Sequence, residues 1–319
     1  MSNAASRYAV GVIHHGSYPE LPGCVGAIRA QTVGPRWIRI LDADNEPARL
    51  ERALRTRPEI ERASIENRGY AYGANRLIER AFGDAGCEYL LLLNPDVVLE
   101  PGFAAAMLGA LEADPEAALA GGRLIRRDGK TLDSAGILLG RNRRPRDRAS
   151  DQRDVGQYAE PEAVFGASGA ALWLRLSAAR DLAVEGEIFD EDFFLYHEET
   201  DLAWRAALFG WRVLYVPGAR AQHERGWKRG TRFAIPPAIR RHSFKNHSLQ
   251  MIKNDRLGEW LRDLPVILGW ELLRLSFALL RDRAVLGAYR DTARLARRVL
   301  RKRRLIQARA RGRVRFGRS

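Results

Sequence analysis

Tyr89-Leu90-Leu91-Leu92-Leu93-Asn94-Pro95-Asp96 is the stretch that decides the fold. An apolar run with no polar alternation predicts a strand buried on both faces, the kind found in a parallel sheet covered by helices. Pro95 lacks a ladder donor, so pairing is expected to stop there. Asp96 then sits just past the carboxyl end of a central strand, where open α/β sheets bind ligands. A carboxylate with an apolar wall behind it is placed to hold a divalent cation on a phosphate. An ordinary strand-to-turn aspartate is the plain alternative.

Toward the N-terminus, residues 8–13 read as a first strand, followed by a His14-His15-Gly16-Ser17 loop and a helix over 22–31. A second strand over 37–41 closes on Asp42-Ala43-Asp44-Asn45. An aspartate there can accept from a ribose or base N–H, while turn chemistry accounts for the same residues. The residues alone leave open whether Asp42 or Asp44 makes that contact. Residues 63–66 read as a third strand. Asn67-Arg68-Gly69-Tyr70-Ala71-Tyr72-Gly73-Ala74-Asn75 then opens a helix running to about residue 82. Its glycines allow close backbone approach. The spacing is not the Gly-x-Gly-x-x-Gly dinucleotide fingerprint, but a helix-opening loop with two Asn side chains suits a nucleotide diphosphate. Strand and helix alternating in this way is the doubly wound α/β pattern.

Beyond Asp96, a helix is expected over 103–113, a strand over 119–125 and a hairpin-like turn over 126–130. The charge-dense stretch 141–154 reads as an exposed loop. Residues 164–174 form a small-residue turn entering a strand, with room for a sugar; close packing explains the small residues equally well. The segment 189–205 then holds six carboxylates among aromatics. Its later part predicts a helix over 198–209, stopped by Gly210. Acidic residues in a first turn suit the helix dipole. The Phe193-Phe194-x-Tyr196 wall also gives a carboxylate a partly dry setting, which raises its basicity toward that of a general base. A strand over 211–216 should end at Pro217, leaving His223 in a post-strand loop. A lone histidine there is ordinarily a surface residue; together with Asp96 it becomes a metal-ligand candidate.

The bulk numbers frame these motifs. A chain of 319 residues with 46% hydrophobic content can build one large domain and an appendage. Two distant cysteines, Cys24 and Cys87, argue for a reducing compartment and against a disulfide framework. No basic-then-apolar leader is read at the N-terminus, and Met1-Ser2-Asn3-Ala4 resembles a cloning remnant. The net charge of +14 is uneven. Residues 228–319 carry 25 Lys and Arg against 6 Asp and Glu, a surplus of +19, while residues 1–227 sum to −5. The chain is therefore divided into a mildly acidic α/β body, 1–227, and a basic helical extension, 228–319. Such an extension wants an anionic surface. The acidic body and the lack of any binding motif argue against nucleic acid.

Taken in order, the motifs resemble the family 2 inverting glycosyltransferases of the GT-A fold, specifically the rhamnosyltransferase-like branch. The ordered set is Asn67-x-Gly69-Tyr70-x-x-Gly73-x-Asn75, Leu93-Asn94-Pro95-Asp96, Gly166-Ala167-Ser168-Gly169-Ala170 and Phe189-Asp190-Glu191-x-Phe193-Phe194-x-Tyr196-x-Glu198-Glu199-x-Asp201-Leu202. It closes with Gly210-Trp211, Pro217 and His223, and spans residues 8 to about 255. The resemblance implies a fold: a GT-A-type, mostly parallel sheet flanked by helices. It implies that Asp96 and His223 hold Mg²⁺ or Mn²⁺. Asp42, Asn67, Gly69, Asn75, Asn94 and Asp96 are expected on the nucleotide-sugar, with Asp42 reading the nucleoside. The base falls on Glu198 or Glu199, with Glu199 preferred; the family's second acidic residue is Asp, and this chain has Glu. His14-His15-Gly16 stands where the family has Thr-Tyr-Asn. Ser168, Gly169, Asp201, Trp204 and Arg205 are expected on the acceptor side.

The implied reaction moves a sugar, rhamnose from dTDP-rhamnose in this branch, to a glycan or lipid-linked acceptor in cell-envelope polysaccharide synthesis. UDP- or GDP-hexose donors, a galactofuranosyl donor, or a nucleotidyltransferase on a similar sheet are the alternatives. The last would want a basic Gly-rich signature, and residues 11–30 offer only Arg29. Residues 264–280 are too short and interrupted to span a bilayer, which takes ~20 residues. Glu271, Arg274 and Arg281 at helical spacing on one side fit an amphipathic helix in a membrane interface. A helical pair packed on the catalytic body, with a solvated basic tail, is the alternative. The implied setting is cytoplasmic, peripheral on the inner membrane face, with a homo-oligomer allowed.

Overall fold

The first half of the chain alternates strand and helix: β1 (Tyr8–His14), α1 (Leu21–Arg29), β2 (Ile38–Asp42), α2 (Pro47–Leu54), β3 (Glu61–Ser64), α3 (Tyr70–Phe82) and β4 (Tyr89–Leu93). β1 pairs in parallel with both β2 and β4, and β2 with β3. The structure is a computed structural model and describes residues 6–54, 57–224, 232–314 and 316–317. Every residue of β4 is buried. Its side chains alternate between two cores: Leu91 and Leu93 pack with α1 and α2 residues, Leu90 and Leu92 with α3 residues. That is why the strand carries leucine at four of its five positions and no polar alternation.

After Asp96 come β5 (Val97–Leu99), α4 (Phe103–Ala113), β6 (Ala117–Ile125), β7 (Leu132–Ser134), β8 (Ile137–Leu139), β9 (Pro145–Asp147), β10 (Glu162–Val164), β11 (Ala171–Arg175), α5 (Leu176–Leu182), α6 (Glu198–Phe209) and β12 (Arg212–His223). The main sheet runs β10-β12-β6-β11-β4-β1-β2-β3. β11 lies antiparallel between β4 and β6, and β12 is parallel to β6. The carboxyl ends of β1, β2, β4 and β12 and the amino end of β11 therefore share one sheet edge.

Two sequence expectations change here. Pro217 does not end its strand. β12 continues to His223, and Pro217 falls in a register shift between Val216 and Arg220, where a residue without an N–H is tolerated. His223 thus belongs to the strand and pairs with Val97, rather than sitting in a loop. The stretch 141–154 contains β9 and is not simply exposed. Arg143 is fully buried, with Nε 2.7 Å from Asp255 and Nη1 2.7 Å from Asp263. Its charge density reflects buried partners.

Those partners lie in the C-terminal helices α7 (Pro237–Asn254), α8 (Leu257–Leu280) and α9 (Gly287–Arg309). The 227/228 boundary lies outside the described residues. The helices pack on the body: Ile306 joins the α3–α6 core, and Arg311 donates to Leu208 O at 2.7 Å. Among the described residues, five of the 25 basic residues of 228–319 are buried, namely Arg240, Lys245, Lys253, Arg274 and Lys302. α8 has the expected charged side, and the structure shows which way it faces. Glu271 and Arg274 face the body, where they meet His247 and the Phe244 carbonyl, and only Arg281 is exposed. No helix among the described residues is long and apolar enough to cross a membrane. Removing one member of a buried ion pair strands the other charge. Arg143→Met is therefore expected to lower the unfolding free energy by about 3–5 kcal/mol, read from urea denaturation; an unchanged midpoint would contradict the buried pairing.

Candidate functional site

At the shared edge, Asp96 and His223 come together. His223 Nε2 lies 3.5 Å from Asp96 Oδ2 and its Nδ1 lies 2.7 Å from Asp133 Oδ2. Asp96 Oδ1 is buried with no hydrogen-bond partner. Burial alone would lower the His223 pKa, but the two carboxylates outweigh it and push the group up to about 9. An orphaned carboxylate oxygen beside an imidazole whose other nitrogen is fixed by a carboxylate suits a divalent cation. Asp133 was not singled out from the sequence. It sits within the short Leu-Asp-Ser strand β7, and no spacing ties it to His223.

At the same edge, β1 and β2 end in a second cluster. Asp42 is fully buried, and both of its oxygens are taken. Oδ1 accepts from Tyr18 Oη at 3.2 Å and Asp44 N at 3.0 Å, and Oδ2 from Glu46 N at 2.9 Å. Asp44 lies 2.5 Å from His15 Nδ1 and accepts from Gly16 N at 2.5 Å. Burial opposes its ionisation, but the Gly16 N–H and the histidines hold its carboxyl below the usual range. One ligand atom each from His14, Asp42 and Asp44 lie within 4.8 Å of one another. This set could also hold a cation. The saturated Asp42 carboxylate makes it the poorer fit, because a cation there would displace existing hydrogen bonds.

Glu199 opens α6 beside the turn that precedes β11. A Cβ placed on Gly169 would stand 3.7 Å from Glu199 Cβ and Cγ. This brings Ser168-Gly169 and Glu199 to the edge that carries Asp96, as Asn94 N also donates to Ala170 O at 2.9 Å. Burial, together with the charge of Asp147, pushes the Glu199 carboxyl up to about 7 against a Thr200 hydrogen bond. Glu198 is 6% exposed and Oε2 has no partner, so burial and Glu199 raise it well above the carboxylate range. Asp190, Glu191, Asp192 and Asp201 each have a cationic partner. Among the described residues Glu198 and Glu199 have none. Tyr70 faces this pair; its buried hydroxyl has no partner, and burial with the two carboxylates raises its pKa.

The loop delivering the two glutamates holds three non-glycine residues at positive φ: Phe194 at 66°, Tyr196 at 71° and His197 at 71°. Each costs on the order of 1–3 kcal/mol and persists only where surroundings impose it. Asn246 of α7 imposes it. Its buried Nδ2 donates to Phe193 O at 2.8 Å, Leu195 O at 2.9 Å and Tyr196 O at 2.7 Å. Tyr70 N donates to Phe194 O at 2.7 Å, and Gly69, at φ 91°, leaves no room there for a Cβ. Asn246 lies beyond the recognised motifs, and no spacing ties it to the Phe193–His197 loop.

Several expected contacts are structural instead. Asn75 is buried, donates to Phe189 O at 2.8 Å and accepts from Phe189 N at 2.9 Å, so it ties α3 to the acidic segment. Gly69 serves the same packing. Asn67 is exposed and accepts from Gly69 N at 3.2 Å. Asp201, Trp204 and Arg205 are buried. Asp201 meets Lys253 at 2.8 Å and Asn254 at 2.7 Å, and Arg205 donates to Leu182 O and Ile188 O. Asp201 faces α7, Arg205 the end of α5 and the segment after it, and Trp204 packs between Phe165 and Phe316, so all three are corrected from acceptor contacts to supports. A helix whose first turn serves the edge must bury its following turns.

Comparison with known proteins follows this geometry. Residues 10–182 match the sequence profile described as Glycosyl transferase family 2. The N-acetylglucosaminyl-diphospho-decaprenol L-rhamnosyltransferase of Mycobacterium tuberculosis, in two strains, is 28% identical over 233 residues, covering 66% of this chain and 74% of that protein. Among solved structures, GalNAc-T7 with UDP, GalNAc and Mn²⁺ superposes with a TM-score of 0.57 at 12% identity over 79% of this chain. The match covers 48% of GalNAc-T7, so this chain spans about half its length. Mannosyltransferase PcManGT from Pyrobaculum calidifontis, in complex with GDP-Man and Mn²⁺, gives 0.50 at 16% identity over 96% of this chain and 86% of that one. S. aureus TarS gives 0.58 at 11% identity over 95% and 52%. At these identities the structural likeness shows a GT-A-type fold.

Asn246→Ala releases the three loop carbonyls. It is expected to cost about 1–3 kcal/mol of stability and to speed hydrogen exchange at the amides of residues 193–197. Unchanged exchange there would mean that the loop holds itself.

Proposed function

The chain belongs to glycosyl transferase family 2, whose members transfer sugars from nucleotide-sugars, and from that premise we propose that it is an inverting L-rhamnosyltransferase using dTDP-rhamnose. The proposed acceptor is a hydroxyl on a saccharide carried by a polyprenyl diphosphate, in cell-envelope polysaccharide synthesis. The Mycobacterium tuberculosis relative supports the donor sugar and the lipid-linked acceptor class. The observation that carries the reaction type is the half-buried Glu199, without a cationic partner, beside Gly169 on the edge that also holds Asp96 and His223.

Asp96 and His223 would hold Mg²⁺ or Mn²⁺, which when bound neutralises the diphosphate leaving group. The orphaned Asp96 oxygen supports that assignment. Asp133 keeps the His223 ring oriented. Asp42, fixed by Tyr18 and two backbone N–H groups, closes the nucleoside end, with Asp44 beside it. Glu199 takes the proton from the acceptor hydroxyl as that oxygen attacks the anomeric carbon. The bond to the diphosphate breaks on the opposite face, so the configuration inverts. Burial and the neighbouring Glu199 charge oppose ionisation of Glu198, so the negative charge of the pair is favoured on Glu199.

A base must be ionised, so kcat/KM is expected to be low in acid, rise as pH passes about 7 and level above it. Glu199→Gln should reduce kcat by roughly 100-fold or more while nucleotide affinity, read by calorimetry, is retained. Full activity would exclude Glu199 as base. A thermal-shift panel with Mn²⁺ should favour dTDP-rhamnose over UDP- and GDP-sugars; a larger shift with a UDP-sugar would move the donor assignment.

A further inference from the structure

α8 is amphipathic in the wrong sense for a helix of a water-surrounded protein. Its charged residues point inward: Asp263 is fully buried against Arg141 and Arg143, Arg274 is 9% exposed and donates to Phe244 O at 2.8 Å, and Glu271 meets His247 at 3.1 Å. Its leucines point outward. Leu261, Leu268, Leu272, Leu275 and Leu279 are spaced as one helical stripe and are 36–63% exposed; Leu273 and Leu280 beside them reach 65% and 80%. Apolar patches of this extent mark an interaction surface.

We propose that this face of α8 docks on an anionic lipid bilayer, with the helix lying flat in the interface. The helix of 24 residues is about 36 Å long, and its inward charges are committed to the body, so it cannot turn to cross the membrane. The exposed stretch from Asp263 to Leu280 presents no charged side chain outward, while Arg262, Arg281 and Arg283 are exposed at its two ends. Phe233, 60% exposed, stacks near Phe277 and extends the apolar area. An apolar stripe with cationic ends matches an acyl boundary under anionic headgroups. The exposed part of the +19 surplus of residues 228–319 supplies the long-range attraction, since five of its basic residues are buried against the body. A second copy docking through this face would instead bring like-charged arginine ends together. The surface requires no particular donor sugar, and its test uses none.

The full chain is floated with phosphatidylcholine vesicles that contain or lack phosphatidylglycerol, at low and high salt. Binding is expected with phosphatidylglycerol and should weaken with salt. Leu268→Gln with Leu272→Gln should lower the bound fraction at least tenfold with an unchanged melting temperature, since both side chains are already exposed. No vesicle binding at low salt overturns the proposal. So does light scattering that shows a dimer, dissociated by the same two substitutions, together with unchanged vesicle binding.

Discussion

Asp190 lies buried between two lysines of the C-terminal helices, with Lys253 Nζ at 2.5 Å and Lys302 Nζ at 2.6 Å, and the rest of the architecture follows from that contact. Lys253 also reaches Asp201 at 2.8 Å, and Lys302 reaches Glu187 at 2.9 Å. The two cations outweigh the burial that would otherwise neutralise Asp190, and hold its carboxyl below the usual range. Because opening one partner of such a cluster leaves a buried charge uncompensated, the basic helices are locked to the acidic segment. Part of the charge asymmetry between the two parts of the sequence is thus an internal fit.

The same lock explains why two carboxylates in that segment differ from the other four. Asp190, Glu191, Asp192 and Asp201 are spent on cations, which fix the backbone on both sides of the Phe193–His197 turn. Asn246 closes the turn itself. What projects from the fixed frame is Glu198 and Glu199, unpaired and raised in pKa. In the proposed mechanism the strain and desolvation at this corner are offset by ion pairs placed behind it, as expected where function demands an unfavourable local arrangement.

Much of this was legible in the residues. β4 and its Asp96 corner follow from five consecutive apolar positions, one tyrosine and four leucines, and α6 ends at Gly210, whose φ is 88°. Local signals of this kind need no knowledge of the distant chain. What could not be read depends on partners far away in sequence. Arg143 looks like a loop residue until Asp255 and Asp263 are beside it, more than a hundred positions on. Pro217 looks like a strand end unless the partner strand can absorb a bulge. The amphipathic character of α8 was legible, but periodicity identifies two faces without saying which one meets the body. Asp201, Trp204 and Arg205 were expected on the acceptor side, whereas helical geometry turns them inward.

The account rests on the nucleotide-sugar phosphates lying over Asp96 and His223, within reach of Glu199. Anomalous diffraction from crystals soaked with Mn²⁺ and dTDP addresses it most directly. The account predicts a manganese peak bounded by Asp96, His223 and the diphosphate. A peak seated instead among His14, Asp42 and Asp44, with the diphosphate drawn to it, would contradict it.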